Sequence, residues 1–150
     1  MASIQLKEIE LQSPNPALYT TPFQFRLAVD VLDDLREDME VRVVWVGSCA
    51  TLAADQTLTE DLIGPLGLGT TQCTIDVPAP QWARVPESHL LGETIISVVL
   101  LFREKEFCRA SYIVNVEYVD DKPQSTICPN LLVRTLSVPV CHLSQITWLH

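Results

Sequence analysis

Apolar and polar residues alternate along most of this chain. In FQFRLAVDVL, residues 23–32, every second side chain from Phe23 to Val31 is apolar, and most residues between them are polar. A period of two places alternate side chains on opposite faces of a β-strand, so this segment is predicted to be a strand with one buried face. The same pattern and an enrichment in β-branched and aromatic residues predict five further strands, at Ile4–Leu11, Val41–Val46, Gln72–Val77, Thr94–Phe102 and Phe107–Tyr118.

Proline and glycine clusters separate these strands, in SPNP, GPLGLG and VPAP. Short strands divided by such turns are typical of an all-β, immunoglobulin-like β-sandwich. No helical stripe of useful length is present, and short helical turns are expected only in DDLREDM and TLTEDLI. A chain of 150 residues with 47% hydrophobic content can bury a core of ordinary size, so residues 1–150 are predicted to form a single domain.

The charge is strongly and unevenly negative. The formal net charge is -9, and residues 1–61 hold 11 Asp and Glu against 4 Lys and Arg. Such a field repels nucleic acid and anionic membranes and attracts cationic partners, so neither direct nucleic-acid binding nor membrane association is expected. The acidic residues crowd into DVLDDLREDME between two predicted strands, at Asp33, Asp34, Glu37, Asp38 and Glu40.

No motif for catalysis or metal binding stands out. The chain has no glycine-rich phosphate loop, G-x-S-x-G elbow or HExxH motif, so an enzyme is not expected. The five cysteines form no CxxC pair, and neither they nor the three histidines have zinc-finger spacing. We therefore expect no metal or cofactor, and reduced thiols in a cytosolic or nuclear protein without a signal peptide or membrane span.

The segment ETIISVVLLFREKEFCRASYIVNVEY, residues 93–118, predicts a β-hairpin. With a three-residue loop at 103–105, Ile95 lies opposite Ile113, and the outer face then carries Ile95, Val99, Phe107 and Ile113. Glu93 and Arg109 lie at the margin of this face, where they could form a pair. An apolar patch with charged margins is typical of a partner-binding surface. The alternative is that the C-terminal segment buries this face.

Three stretches resemble the anti-silencing factor histone chaperone family, in order along the chain: NPALYTTPFQFRLAVDVLDDLREDMEVRVVWVGS, DQTLTEDLIGPLGLG and FREKEFCRASYIVNVEY. The resemblance implies an immunoglobulin-like sandwich that binds histones H3 and H4, covers the surface through which H3 tetramerises, and passes the histones to chromatin assembly factors. The positions that match the H3 contacts of the family are Val46, Asp55, Ile95, Arg109 and Ile113.

The resemblance implies two further sites. One receives basic motifs of assembly factors on the opposite side of the sandwich, at Glu37, Asp38 and Glu40, with Leu62 and Ile63 offering apolar contact. Carboxylates suit such motifs because a guanidinium can bind them bidentately. Without the resemblance, the favoured interpretation of this cluster is a solvated turn with a short helix, whose dipole favours acidic residues near its N-terminus. The other site is the neighbourhood of the H4 tail, at Ile146, Thr147 and Trp148.

Several positions depart from the family pattern. Ile113 stands where tyrosine is frequent, Glu93 where the family is apolar, and Ser97 where it is larger and aliphatic; Ala50 and His89 replace acidic residues. These departures fall on or near the H3 surface and are expected to alter histone affinity. A monomer is expected, resident in the nucleus and also compatible with the cytoplasm. The alternative function is a cytosolic immunoglobulin-like adaptor or lipid-chaperone domain, because fold alone does not select between them.

Overall fold

The computed structural model describes residues 4–32, 36–46, 56–81, 92–118 and 132–143, and these contain ten β-strands. The strands are β1 Ile4–Leu11, β2 Ala17–Leu18, β3 Phe23–Val31, β4 Met39–Val46, β5 Gln56–Ile63, β6 Gly69–Val77, β7 Gly92–Phe102, β8 Lys105–Tyr118, β9 Leu132–Leu136 and β10 Val140–Leu143. The prediction of an all-β, sandwich-like fold is confirmed.

Two antiparallel sheets enclose one hydrophobic core. The smaller has the order β1-β3-β6, and the larger has the order β2-β9-β8-β7-β4-β5, with β10 also pairing with β8. Aromatic rings from the two sheets meet between them. The rings of Phe25 on β3 and Tyr112 on β8 are 5.6 Å apart, and those of Phe23 and Trp45 are 6.3 Å apart. The alternating apolar positions of the central strands therefore supply the core.

One arginine faces into this core. On β9 the inward positions are Leu132, Arg134 and Leu136, and Arg134 is only 1% exposed. Its guanidinium donates hydrogen bonds to the carbonyl oxygens of Tyr19, at 3.1 Å, and Pro22, at 3.4 Å. The guanidinium carbon lies 3.6 Å from the centre of the Phe23 ring. These contacts satisfy a buried cation without a carboxylate and tie β9 to the segment before β3.

The predicted strands are confirmed, and four strands were not foreseen. The segment Ile4–Leu11 coincides with β1, the segment 23–32 extends one residue beyond β3, and the other predicted segments lie within β4, β6, β7 and β8. The helical turn predicted for TLTEDLI is wrong, because these residues belong to β5, which pairs antiparallel with β4. Residues 33–35 of DDLREDM lie outside the described residues, and the described remainder of that segment contains no helix. The pairing of β5 with β4 outweighs a weak local preference.

The turn between β7 and β8 differs from the prediction. Phe102 pairs with Lys105, so the loop has two residues, Arg103 and Glu104, instead of three. Both have left-handed φ angles, 51° and 65°, as the favoured two-residue hairpin turn requires. A β-bulge near Phe107 then shifts the register by one residue, because Leu101 pairs with Glu106 but Leu100 with Cys108. The bulge restores the predicted pairing, and Ile95 lies opposite Ile113.

Candidate functional site

Three apolar side chains form a row on the outer face of the larger sheet. Val46 on β4 lies opposite Ile95 on β7, which lies opposite Ile113 on β8. We call these three residues the apolar row. Val46 and Ile95 are half-buried, and Ile113 is 48% exposed. The described neighbours of these residues along each strand are buried, so the row is a direct result of strand alternation.

The dimensions of the apolar row suit a helix. Neighbouring strands lie about 4.8 Å apart, so three strands present a strip about 10 Å wide. This width is similar to the diameter of an α-helix with its side chains, about 10–12 Å. The row is also held in place, because the Thr94 hydroxyl donates a hydrogen bond to the carbonyl oxygen of Val46.

The C-terminal strands extend the sheet beside the apolar row. β9 pairs with β8 from Val114 to Tyr118, and β10 pairs with it from Cys108 to Ser111. Between them, Ser137 donates its backbone N–H to the Ile113 carbonyl, at 2.9 Å, and its hydroxyl oxygen accepts the Ile113 N–H, at 3.1 Å. Within the described part of the chain, these strands therefore lie edge to edge with β8 and leave Ile113 open. Nearby apolar side chains are also exposed, at Val138 and Val140.

Two expectations about the outer face are wrong. Val99 is only 3% exposed, because it lies in register between Arg42 and Arg109, whose long side chains can cover it. Phe107 is buried because the bulge turns it inward. Ser97 is buried as well, and its hydroxyl is 2.9 Å from that of Ser111. The open apolar surface is therefore concentrated at one end of β7.

Charged pairs lie on the same face beyond the apolar row. Arg109 donates two hydrogen bonds to the carboxylate of Glu106, at 2.9 and 3.3 Å. These bonds raise the pKa of Arg109 above its ordinary value, with burial opposing the shift. The alternative that Glu93 pairs with Arg109 does not hold, because Glu93 lies opposite Asn115 at the other end of the hairpin. Arg42 binds Glu40 at 3.0 Å and approaches Glu60 at 3.4 Å.

Glu37, Asp38 and Glu40 form a second candidate site, which we call the acidic corner. The backbone before β4 is bound to the loop after β5. The Arg36 N–H donates to the Leu66 carbonyl, and the Leu66 N–H donates to the Glu37 carbonyl, both at 2.9 Å. Leu66 itself is fully buried and anchors the loop. Glycine is needed at position 64, where φ is 145° and an added Cβ would lie 2.8 Å from the Asp38 carboxylate.

The apolar residues predicted for this corner lie beside it. Leu62 is 71% exposed and lies opposite Glu40, and the half-buried Ile63 lies opposite Met39. Glu40 shares the outer face of β4 with Val46, six residues further along. Glu40 and Val46 are thus separated along the outer face of β4 by roughly 20 Å.

Sequence analysis missed one contact at the acidic corner. Arg103, in the turn between β7 and β8, binds Glu37 through Nε at 2.7 Å and through Nη2 at 3.2 Å. The two residues are 66 positions apart, so the spacing along the chain carries no signal for the pair. Only the pairing of β4 with β7 brings the turn and the corner together.

Some predicted positions lie outside the described residues: Ala50, Asp55, His89, Ile146, Thr147 and Trp148. In the described ranges, no group of three or more His, Cys, Asp or Glu side chains is placed to hold a metal ion. The same ranges contain no helix long and apolar enough to cross a membrane.

Comparisons with known proteins agree with this geometry. Residues 1–148 match the family model described as ASF1 like histone chaperone. Histone chaperone asf1a-B of Xenopus laevis is 34% identical over 120 residues, which cover 80% of this chain and 60% of the relative. Histone chaperone ASF1 of Candida albicans is 32% identical over 140 residues, or 91% of this chain and 56% of the relative.

A third relative is matched over most of its own length. Histone chaperone asf1 of Dictyostelium discoideum is 30% identical over 130 residues, and the match covers 84% of each chain. The present chain spans 60% of the Xenopus laevis relative and a smaller share of the Candida albicans relative. A family match over nearly the whole sequence, together with the all-β fold, shows that this chain belongs to the ASF1 like histone chaperone family.

Proposed function

We propose that this protein is a histone chaperone that binds the H3–H4 dimer through the apolar row and occludes the surface through which H3 tetramerises. The observation that carries the proposal is the row itself, Val46, Ile95 and Ile113, apolar and accessible on the outer face of the larger sheet. Relatives that bear the name histone chaperone provide the second support. No chemical step is required, because covering the H3 tetramerisation surface is sufficient to prevent H3 from associating through it.

The chemistry of the face fits a histone helix. Leucine-type side chains of a helix gain stability by burial against a strip of matching width. Arg109 and its partner Glu106 lie along the edge of that strip, where charges set register more than affinity. The net charge of -9 favours encounter with a strongly basic partner and makes the association rate dependent on salt.

The acidic corner is proposed as a second binding site, for basic motifs of chromatin assembly factors. Its carboxylates and the exposed Leu62 together suit a peptide with arginine next to an apolar residue. Glu40 lies roughly 20 Å from Val46 along β4, so a histone helix on the apolar row and a short peptide at the acidic corner would contact different residues. That arrangement would allow transfer of histones from one protein to the next. Residence in the nucleus is proposed on the same ground, from the partners.

Two parts of the H3–H4 proposal concern positions outside the described residues. Asp55 is proposed to pair with a basic residue at the edge of the H3 helix. The segment Ile146, Thr147 and Trp148 is proposed to adjoin the H4 tail. Both proposals rest on the resemblance of these positions to the family.

Isothermal titration with the refolded H3–H4 dimer tests the proposal. We expect one dimer per chain, and size-exclusion chromatography should show that the complex contains no H3–H4 tetramer. A fluorescent farnesylated peptide is the comparison ligand, because a lipid-chaperone domain would bind it. No heat with histones, or binding of the farnesylated peptide alone, would contradict the proposed function.

A further inference from the structure

The carboxylate of Glu37 already holds a guanidinium from its own chain. Both carboxylate oxygens are engaged by Arg103, one by Nε at 2.7 Å and the other by Nη2 at 3.2 Å. This is the bidentate geometry that a carboxylate offers to an external arginine. The hydrogen bond to Glu37 raises the pKa of Arg103 above its ordinary value. Glu37 is therefore placed to bind a guanidinium, and in this structure Arg103 occupies that binding position.

The backbone of the turn places Arg103 over the acidic corner. Arg103 and Glu104 both take left-handed φ angles, which fixes the direction in which the Arg103 side chain leaves the turn. The preceding Phe102 is 1% exposed, and the Arg103 guanidinium lies 5.2 Å from the centre of its ring. A cation held against a buried ring has fewer alternative positions than a free surface arginine. Its site on Glu37 is thus prepared by the hairpin.

We propose that Arg103 is an intramolecular competitor at the acidic corner, and that an arginine of an incoming basic peptide binds Glu37 by taking its place. This inference rests on the proposed function of the corner as a basic-peptide site. Arg103 holds both oxygens in one bidentate pair, so a second guanidinium cannot take that bidentate position while Arg103 does. An arginine of the peptide therefore forms the bidentate pair in the fraction of molecules in which Arg103 has moved away. The apparent affinity is reduced by that fraction.

The size of the effect follows from the exposure of the pair. The side chains of Arg103 and Glu37 are 35% and 48% exposed, so water screens their attraction. Pairs of this kind are modestly populated, and removing the competitor should strengthen peptide binding roughly two- to fivefold. The gain should shrink at high salt, because salt screens an exposed pair.

The test compares two variants with the same loss of charge. Arg103→Met removes the competitor, and Lys105→Met removes an exposed cation from the same hairpin. Each 150-residue protein is titrated into a fluorescein-labelled hexa-arginine peptide at low salt, with fluorescence anisotropy as the readout. We expect tighter binding by Arg103→Met than by Lys105→Met. Equal melting temperatures of the two variants show that both are folded.

A double-mutant cycle assigns the gain to Glu37. In a Glu37→Gln background, Arg103→Met should no longer improve binding relative to Lys105→Met. Two results would overturn the competitor role alone. In the first, the wild-type protein binds the peptide and Arg103→Met binds it no more tightly than Lys105→Met does. In the second, Arg103→Met still increases the peptide affinity when Glu37 is replaced by glutamine. Failure of the peptide to bind any of the proteins would overturn the proposed function of the corner and the competitor role with it. If Arg103→Met is the only one of these proteins that binds the peptide, both the proposed function of the acidic corner and the competitor role of Arg103 are supported.

Discussion

Ile95 on β7 lies directly opposite Ile113 on β8, although the turn that joins their strands is one residue shorter than the sequence predicts. The bulge near Phe107 adds back the missing residue, so the outward face of each strand is preserved beyond it. Side-chain direction alternates with every residue, and a slip of one residue would have turned Ile113 into the core. The apolar row thus depends on a turn and a bulge acting together.

Ile95→Arg should abolish histone binding and leave the protein folded. Ile95 is half-buried at the centre of the apolar row, and a charge there would be desolvated against any apolar partner. We expect a loss of H3–H4 affinity of ~30-fold or more by isothermal titration. The free energy of unfolding should fall by no more than about 1 kcal/mol, measured by urea denaturation.

Asn115→Arg is the matched control for that variant. Asn115 is exposed on the same face of β8, two residues beyond Ile113 and outside the apolar row. The control adds the same charge and should leave histone affinity within about threefold of the wild type. A large drop in stability for Ile95→Arg, or equal loss of binding in both variants, would contradict the role of the apolar row.

Glu37→Gln combined with Asp38→Asn should weaken the binding of a basic peptide and leave histone binding unchanged. The changes keep the side-chain shapes and remove two negative charges from the acidic corner. Charge-assisted hydrogen bonds contribute enough that we expect about a tenfold loss of affinity for a hexa-arginine peptide, measured by anisotropy. The matched control is Asp30→Asn with Asp76→Asn, which removes two charges from the smaller sheet. An equal loss of affinity for the peptide and for histones would show that the two ligands share one site, which contradicts the prediction.

Tyr19→Phe should stabilise the protein and flatten its response to alkaline pH. Tyr19 is 1% exposed, and among the described residues its hydroxyl is one of the buried polar groups without a hydrogen-bond partner. Removal of an unsatisfied hydroxyl should raise the free energy of unfolding by about 1 kcal/mol at neutral pH. Burial is the main cause that raises the pKa of Tyr19 above 10.0, with Arg134 opposing it.

The sign of the pH effect follows from the direction of this shift. Below pH 10.0, both the folded and the unfolded state keep the Tyr19 proton, so this group causes no pH dependence of stability there. Above that pH the unfolded state releases the proton and the folded state retains it, so stability falls by up to about 1.4 kcal/mol per pH unit. Tyr19→Phe should remove this part of the slope in urea titrations above pH 10.0. Tyr118→Phe, at a partly exposed tyrosine, is the control, and an unchanged slope in Tyr19→Phe would contradict the prediction.

Glu104→Gly should stabilise the hairpin between β7 and β8. Glu104 has a φ of 65°, which costs a residue with a Cβ more than it costs glycine. We expect the free energy of unfolding to rise by about 0.5–1 kcal/mol, measured by thermal and urea denaturation. Lys105→Gly, at the first strand position after the turn, should instead lower it. Destabilisation by both variants would show that the turn gains nothing from a glycine.

Sequence analysis determined the fold and the direction of the main side chains. Alternation in FQFRLAVDVL and in the second hairpin strand is strong, because each of these strands has one face in the core. The placement of Ile95 and Ile113 on the same face followed from strand parity. Parity left two alternatives for that face, exposure or burial by the C-terminal segment. β2, β5, β9 and β10 were missed because they are short or are edge strands, whose formation depends more on a neighbouring strand than on their own composition.

Only the tertiary structure decided which outward side chains are covered and which distant residues are in contact, because hydrophobic patterns along the chain carry no such information. Parity places Val99 on the outer face, but its burial depends on Arg42 and Arg109 from the two flanking strands. The contact of Arg103 with Glu37 joins residues far apart in the chain. The alternation of a strand is a property of its own backbone, and sequence alone is enough to determine it. The burial of an outward side chain and the contact between two distant side chains depend on residues from other strands. These are determined only when the sheets assemble.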